Sequence, residues 1–209
     1  DVGSWIREAA MNGMRRVTIL LGQADILDPA LVTRVASYLV RNSVERISNI
    51  RQAAVRNLIA LVEEPTVDVP RIADLDSIRL TDPNAAAAFG TCKGVPAMIP
   101  LLQYPEFRLE LLQGLIASIG GLEKELSDDV SESLTAFLRR RTSSEFQEFM
   151  SVFMDLCVKH NRSKRMAVPS LTTMNIIVKC PDLCEKVLDE HKTQVTIQTH
   201  RPCRLLCLI

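Results

Sequence analysis

The feature that most constrains this chain is a short phrase that returns. Ile6-Arg7-x-x-Ala10 comes back as Ile50-Arg51-x-x-Ala54, so Arg7 and Arg51 lie 44 residues apart. Fainter echoes stand at Phe107-Arg108-x-x-Leu111 and around Arg165-x-x-Val168, each 57 residues after the one before. Self-similarity at roughly 40–47 residues is the period of HEAT and armadillo repeats, in which helix pairs stack because none can bury its apolar face alone. The expected fold is therefore all-α, a HEAT/armadillo-like solenoid. The longer later intervals imply an insertion and an extra helix. The repeated arginine is expected to bond helix-end carbonyls or an acid of a neighbouring repeat, in preference to forming a ligand-binding ladder.

Composition agrees with helices. Of 209 residues, 47% are hydrophobic while only 4% are aromatic and 8 are glycine, which favours helix over sheet. Lys and Arg number 25 and Asp and Glu 25, so the balance gives no support for a nucleic-acid or membrane-surface binder. No apolar run reaches the roughly 18 residues of a membrane span. Six cysteines are too sparse for a disulfide scaffold and read as free thiols of a reducing cytosol. Asp1 in place of a methionine, inside a repeat phrase, reads as a fragment or processed chain.

The first helix is expected from about Ser4 to Leu21, with Ile6, Ala10, Met14, Val17 and Leu21 as its buried stripe and Gly22 as its C-terminal cap. Asp28 capping Pro29 opens the second, with Leu31, Val35 and Leu39 inward. A third spans about Val44 to Glu63. The rhythm breaks over about 64–94, the expected insertion, with short helices near Arg71–Leu80 and Asn84–Phe89. It resumes with a short helix over Val95–Gln103 and a strong one from Pro105 to Ile119, stopped by Gly120-Gly121. Helices then follow over about Leu122–Arg140, Ser144–Lys159 (with Ser144-x-x-Gln147 as capping box), Lys164–Lys179, and Pro181 to about Glu190. Residues 1–190 form the repeat array. Residues 191–209 alternate polar with apolar and are expected to be a divergent, poorly ordered tail.

No enzymatic site stands out, and no catalytic residue, cofactor or metal is expected. Cys180 and Cys184, with His191, His200, Cys203 and Cys207, are a weak match to zinc spacing; apolar packing of the first two is the favoured reading. Cys157 and His160 lie one turn apart, but nothing indicates an orienting group or oxyanion site, so a core cysteine and a surface histidine are expected. The basic clusters Arg139-Arg140-Arg141 and Lys159 to Arg165 stand where helices end and complement their dipoles; a docking patch for an acidic surface is the alternative.

The wording of certain stretches goes further. Asp1-Val-Gly-Ser-Trp-Ile-Arg-Glu-Ala-Ala-Met11, Glu45 to Ala54, Arg108 to Leu122 with its Leu-Leu-Gln-Gly-Leu-Ile-Ala-Ser-Ile-Gly-Gly-Leu, and Arg165 to Leu171 resemble the C-terminal region of the tubulin-folding cofactor D family. The resemblance stops after about Glu190. It implies a cytoplasmic, cytoskeleton-associated chaperone and not an enzyme. Such a protein captures β-tubulin, assembles and disassembles the α/β-tubulin heterodimer with cofactors E and C and a small Arf-like GTPase, and stimulates GTP hydrolysis by tubulin. The alternative is an unrelated HEAT adaptor or scaffold subunit. Neither reading assigns partner-binding residues.

Overall fold

The computed structural model describes residues 2–77, 84–121 and 123–188. Its helices are α1 (Val2–Gln23), α2 (Pro29–Asn42), α3 (Ser48–Val62), α4 (Ile72–Ser77), α5 (Ala85–Ala88), a 3₁₀ helix (Cys92–Gln103), α6 (Pro105–Ile119), α7 (Lys124–Arg139), α8 (Ser143–Lys159) and α9 (Lys164–Lys179). The chain is helical again over 181–188. No strand occurs among the described residues, and the fold is an all-α helical-repeat solenoid. The expected tail, 191–209, lies outside the described residues, as do 78–83, Leu122 and the end of the last helix.

The helices form two rows. One runs α1, α3, α5, the 3₁₀ helix and α7; the other runs α2, α6 and α9, with α8 against α6 and α9. The strands of sequence that build the second row are far apart. Ser37 of α2 donates its hydroxyl to the Glu106 carbonyl at 2.7 Å, and Arg41 meets the Glu110 carboxylate at 3.0 Å. Further along, the Ser118 hydroxyl donates to the Val44 carbonyl. So α2 and α6 pack directly, and the chain between α3 and the 3₁₀ helix loops aside without inserting a helix between them.

The outgoing part of that side loop is held against the end of the 3₁₀ helix and the start of α6. Arg71, with a left-handed φ of 59°, lays its guanidinium 4.8 Å from the centre of the Tyr104 ring and sits 3.6 Å from Glu106. The Tyr104 hydroxyl is hydrogen-bonded to Asp74 of α4, which raises its pKa above the usual phenol value.

Helix α6 is the centre of the stack. Phe107, Leu111, Leu112, Leu115, Ile116 and Ile119 are all buried, covering most of its circumference, because α2, α7, α9 and the 3₁₀ helix surround it. A helix apolar all round belongs in a core. Gly114 is there because α2 comes too close for a side chain: a Cβ would stand 2.6 Å from both the Arg41 carbonyl oxygen and Val44 Cγ2.

Several sequence expectations need correction. The buried face of α1 is Met11 and Thr18 flanked by Met14, while Ile6 is 68% and Val17 52% exposed. The stripe is rotated because α1 has α2 and α3 on one side and no described neighbour on the other. Gly22 lies inside α1 and is no cap; a Cβ there would meet the Thr66 carbonyl oxygen at 2.8 Å. The left-handed residue after the helix is Asp25, φ 57°. Helix α3 starts at Ser48, four residues later than expected, because the turn before it supplies carbonyls to Arg51. The Val95–Gln103 helix is 3₁₀ and starts at Cys92; Pro96 and Pro100 each lack an N–H, and the tighter coil tolerates them. The capping box of α8 is Thr142 with Glu145, two residues before the expected pair. Thr142 Oγ1 accepts from the Glu145 N–H at 3.3 Å and Glu145 accepts from the Thr142 N–H at 2.8 Å.

Two outcomes test this packing. Gly114→Ala is expected to destabilise the chain by about 1–3 kcal/mol in denaturant unfolding through overpacking. Gly13→Ala, where nothing lies within 4 Å, is expected to be neutral or to stabilise by up to about 1 kcal/mol. The Thr142 backbone and hydroxyl hydrogen bonds lower the pKa of Glu145 below its ordinary value of 4.5. A lowered carboxylate stabilises the fold above its unfolded pKa, and that contribution is lost as pH falls through the folded value. Melting temperatures of the chain and of Glu145→Ala are therefore expected to differ near neutrality and to converge as pH drops below 4.5. A constant gap down to acid pH would rule out this role.

Candidate functional site

Two of the repeated arginines, Arg51 and Arg108, are each held by several hydrogen bonds. Arg51 has no exposed surface. Its Nη1 donates to the carbonyls of Glu45 and Arg46, six and five residues earlier, both at 2.8 Å. Its Nε donates to Phe89 at 2.8 Å and its Nη2 to Gly90 at 3.4 Å. The planar fork thus ties the turn before α3 to the end of α5. Glu123 adds a carboxylate at 3.9 Å. Arg108 repeats the design: Nε donates to Leu102 and Nη2 to Gln103, again six and five residues earlier, at 2.9 and 3.0 Å. Its Nη1 pairs with Glu148 of α8 at 3.0 Å.

Arg7 and Arg165 differ from these two. Arg7 is half-buried and reaches Glu45 at 3.1 Å, linking α1 to the turn before α3. Arg165 is exposed at the start of α9. Where the structure describes their bonds, the phrase arginines hold the repeats together. None of those partners is a ligand.

A groove of about 200 Å³ lies beside Arg108, Arg141, Glu145 and Glu148. Its charges face each other: Arg108 pairs with Glu148, and Arg141 with Glu145 at 3.5 Å. Arg141 also covers the Phe137 ring at 4.5 Å. Such a groove has no excess of either sign with which to select a charged ligand.

The cysteine and histidine candidates part company. Cys180 and Cys184 are half-buried, with Cys180 against the core. His191, His200, Cys203 and Cys207 lie outside the described residues. No group of three or more metal-ligating side chains occurs among the described residues. At Cys157, burial pushes the thiol pKa up, against a smaller opposing effect of the Ser170 hydroxyl. A nucleophilic cysteine needs the opposite shift. His160 is not on the surface as expected. It ends α8 half-buried, with Nε2 enclosed and without a hydrogen-bond partner.

The basic cluster 139–141 is engaged at the end of α7. Arg139 pairs with Asp182 at 2.9 Å, and Lys186 donates to the Arg139 and Arg141 carbonyls at 3.3 and 2.8 Å. Lys186 thereby satisfies carbonyls left open at the end of α7. Lys159, Arg162 and Arg165 are exposed.

Large apolar side chains also remain open. On α1, Trp5, Ile6, Val17 and Leu20 are exposed. On α9, Val168, Leu171 and Val178 are exposed. The two ends of the stack therefore carry the candidate interaction surfaces, as large exposed apolar groups mark partner contacts. Sequence reasoning placed Ile6 and Val17 in the core because the period of a helix does not say which way the helix is turned.

Comparison with known proteins gives these surfaces a context. The model of the family described as "Tubulin folding cofactor D C terminal" matches residues 33–200. A curated relative, the tubulin-specific chaperone D of Dictyostelium discoideum, is 22% identical over 201 residues, covering 83% of this chain. The chain spans 14% of that relative's length. No solved structure matches the chain significantly.

The arginine geometry predicts a graded response. Removing Arg51 leaves several buried carbonyls unpaired, at about 1–3 kcal/mol each, so Arg51→Ala is expected to cost about 3 kcal/mol or more. Arg51→Lys is expected to cost nearly as much, because one ammonium cannot reach both groups of carbonyls that the fork spans. Arg108→Ala, with a more exposed side chain, is expected to cost less, and Arg7→Ala least. Urea unfolding of the four variants checks the order. A silent Arg51→Lys would contradict the clamp.

Proposed function

The chain belongs to the tubulin folding cofactor D C-terminal family, and on that premise we propose that it works by protein–protein binding as part of a tubulin-folding chaperone. The family match over residues 33–200 carries this reading. The partners proposed are β-tubulin and the α/β-tubulin heterodimer, with cofactors E and C and a small Arf-like GTPase. The action proposed is heterodimer assembly and disassembly, with stimulation of tubulin's GTP hydrolysis. Its place is the cytoplasm, in association with the cytoskeleton. Among the described residues no helix is long and apolar enough to cross a membrane.

The chemistry is compatible with such work. A stacked helical surface grips a folded partner through extended contact and needs no pocket. The one groove described above is occupied by its own ion pairs. Neither Cys157 nor the arginine clamps offers a reactive group. Membership of the family sets aside the unrelated adaptor.

The test is direct. The purified chain, immobilised, is expected to retain α/β-tubulin and cofactor E from a defined mixture above a control surface. Recovery of neither, with the chain shown to be folded by circular dichroism, would confine tubulin binding to other parts of the longer protein.

A further inference from the structure

From Leu156 to Pro181 the chain contains no Asp or Glu, yet it holds Lys159, Arg162, Lys164, Arg165 and Lys179. In a chain whose 25 cations and 25 acids balance, this excess is local. Elsewhere arginines find carboxylates: Arg7 meets Glu45, Arg41 meets Glu110, Arg108 meets Glu148 and Arg139 meets Asp182. Among the described residues no ion pair involves Lys159, Arg162 or Arg165, and all three are exposed.

Helix stability does not account for these charges. Lys159 closes α8, where a cation complements the dipole. Lys164 and Arg165 open α9, where the dipole is positive and a cation is unfavourable, and the first turn of α9 holds no acid to offset them. The expected match of this cluster to helix dipoles therefore holds at Lys159 and fails at Lys164 and Arg165. Position matters as well. Turns between paired helices run along an edge of a solenoid, which stacked repeats leave open. Arg165, Val168 and Leu171 follow at three-residue steps on one side of α9, and Val168 and Leu171 are 62% and 67% exposed. The cations thus border an apolar strip. No Phe, Tyr or Trp occurs over residues 158–172 to stack on a nucleic-acid base.

We propose that the α8–α9 turn is a docking site for an acidic polypeptide segment that carries apolar residues beside its carboxylates. Lys159, Arg162 and Arg165 receive the carboxylates, and Val168 and Leu171 receive an apolar side chain. Charge complementarity selects the acid, since clusters of exposed basic side chains are a recurring means of capturing acidic motifs. The adjoining apolar strip and the absence of a stacking aromatic select a polypeptide over a nucleic acid. The neutral total charge gives the chain no general attraction to an anionic membrane. The inference rests on this patch alone and does not depend on which partner is retained in the tubulin experiment.

Fluorescence anisotropy tests it, with the 209-residue chain titrated into a fluorescein-labelled peptide of Glu-Glu-Leu triplets at low salt. The expected result is saturable binding that weakens as salt rises. Combined charge reversal at the patch, Lys159→Glu with Arg162→Glu and Arg165→Glu, is expected to weaken binding about tenfold or more. The same change in net charge elsewhere, Arg16→Glu with Arg34→Glu and Arg140→Glu, is expected to weaken it about threefold at most, because those exposed sites lie outside the patch. Arg162→Glu alone, in the turn between the helices, is expected to weaken binding by about threefold, with the helical circular-dichroism signal unchanged. Leu171→Ser is expected to weaken binding of the Glu-Glu-Leu peptide and to leave that of a Glu-Glu-Ser peptide unaltered. Absence of binding would overturn the proposal, as would equal losses from the two triple reversals or equal binding of a Gln-Gln-Leu peptide. Capture of the chain by phosphatidylserine vesicles without binding of the peptide would also overturn it, and would assign the patch to a membrane surface.

Discussion

A guanidinium with no access to water sets the geometry of this fold. Burying a charged arginine is costly unless its donors find acceptors, so the backbone around Arg51 must deliver carbonyls to it. Four oxygens do so, from Glu45, Arg46, Phe89 and Gly90. Two belong to the turn that precedes α3 and two to the return of the side loop. These points are far apart in sequence, and the rigid fork fixes them relative to one another. The start of α3, the exit of α5 and the entry to the 3₁₀ helix follow from that one constraint. Arg108 applies the same six-and-five spacing one repeat later and adds a carboxylate from α8. The recurrence shows that at Arg51 and Arg108 the phrase encodes a joint, in which the arginine ties its own helix to the chain just before it.

The apolar core is arranged around a second constraint, the closeness of α2 and α6. Gly114 permits that approach, and Ser37 and Ser118 use it by donating to carbonyls of the facing helix or turn. Small residues and hydroxyls here do what large apolar groups do elsewhere. Because α2 and α6 meet, residues between α3 and the 3₁₀ helix are relieved of filling the second row. They are tethered at their ends, by Arg51 at one side and by Arg71, Tyr104 and Asp74 at the other. Val67, Val69, Leu75 and Phe89 also anchor the segment in the core, so it is held along its length as well as at its ends.

This division also explains what the sequence disclosed. The phrase arginines, the Asp28-Pro29 start and the bounds of α6 and α9 were legible because each rests on local chemistry: a repeated contact, a cap, or an apolar run between stop signals. Errors arose where a distant segment decides. The orientation of α1 depends on which neighbours exist, and periodicity gives a helix face without its direction. Gly22 reads as a cap until Thr66 is seen against it. The buried Asn57, hydrogen-bonded to α1, is invisible to a search for apolar stripes. Its signal was present in the helical register of α3, as the single polar residue on a face otherwise filled by Ile, Ala and Leu.

A stack held by arginine joints and close helix contacts places its binding capacity at its surfaces and ends. Each joint consumes its own polar groups: the clamp carbonyls are occupied, the groove beside Arg108 is filled by ion pairs, and the cluster after α7 is engaged with Asp182 and Lys186. Within these joints little charge is left over to direct a small ligand; the exposed Lys159, Arg162 and Arg165 lie outside them. The exposed apolar residues of α1 and α9 are of a different kind, since no contact within the described structure needs them exposed.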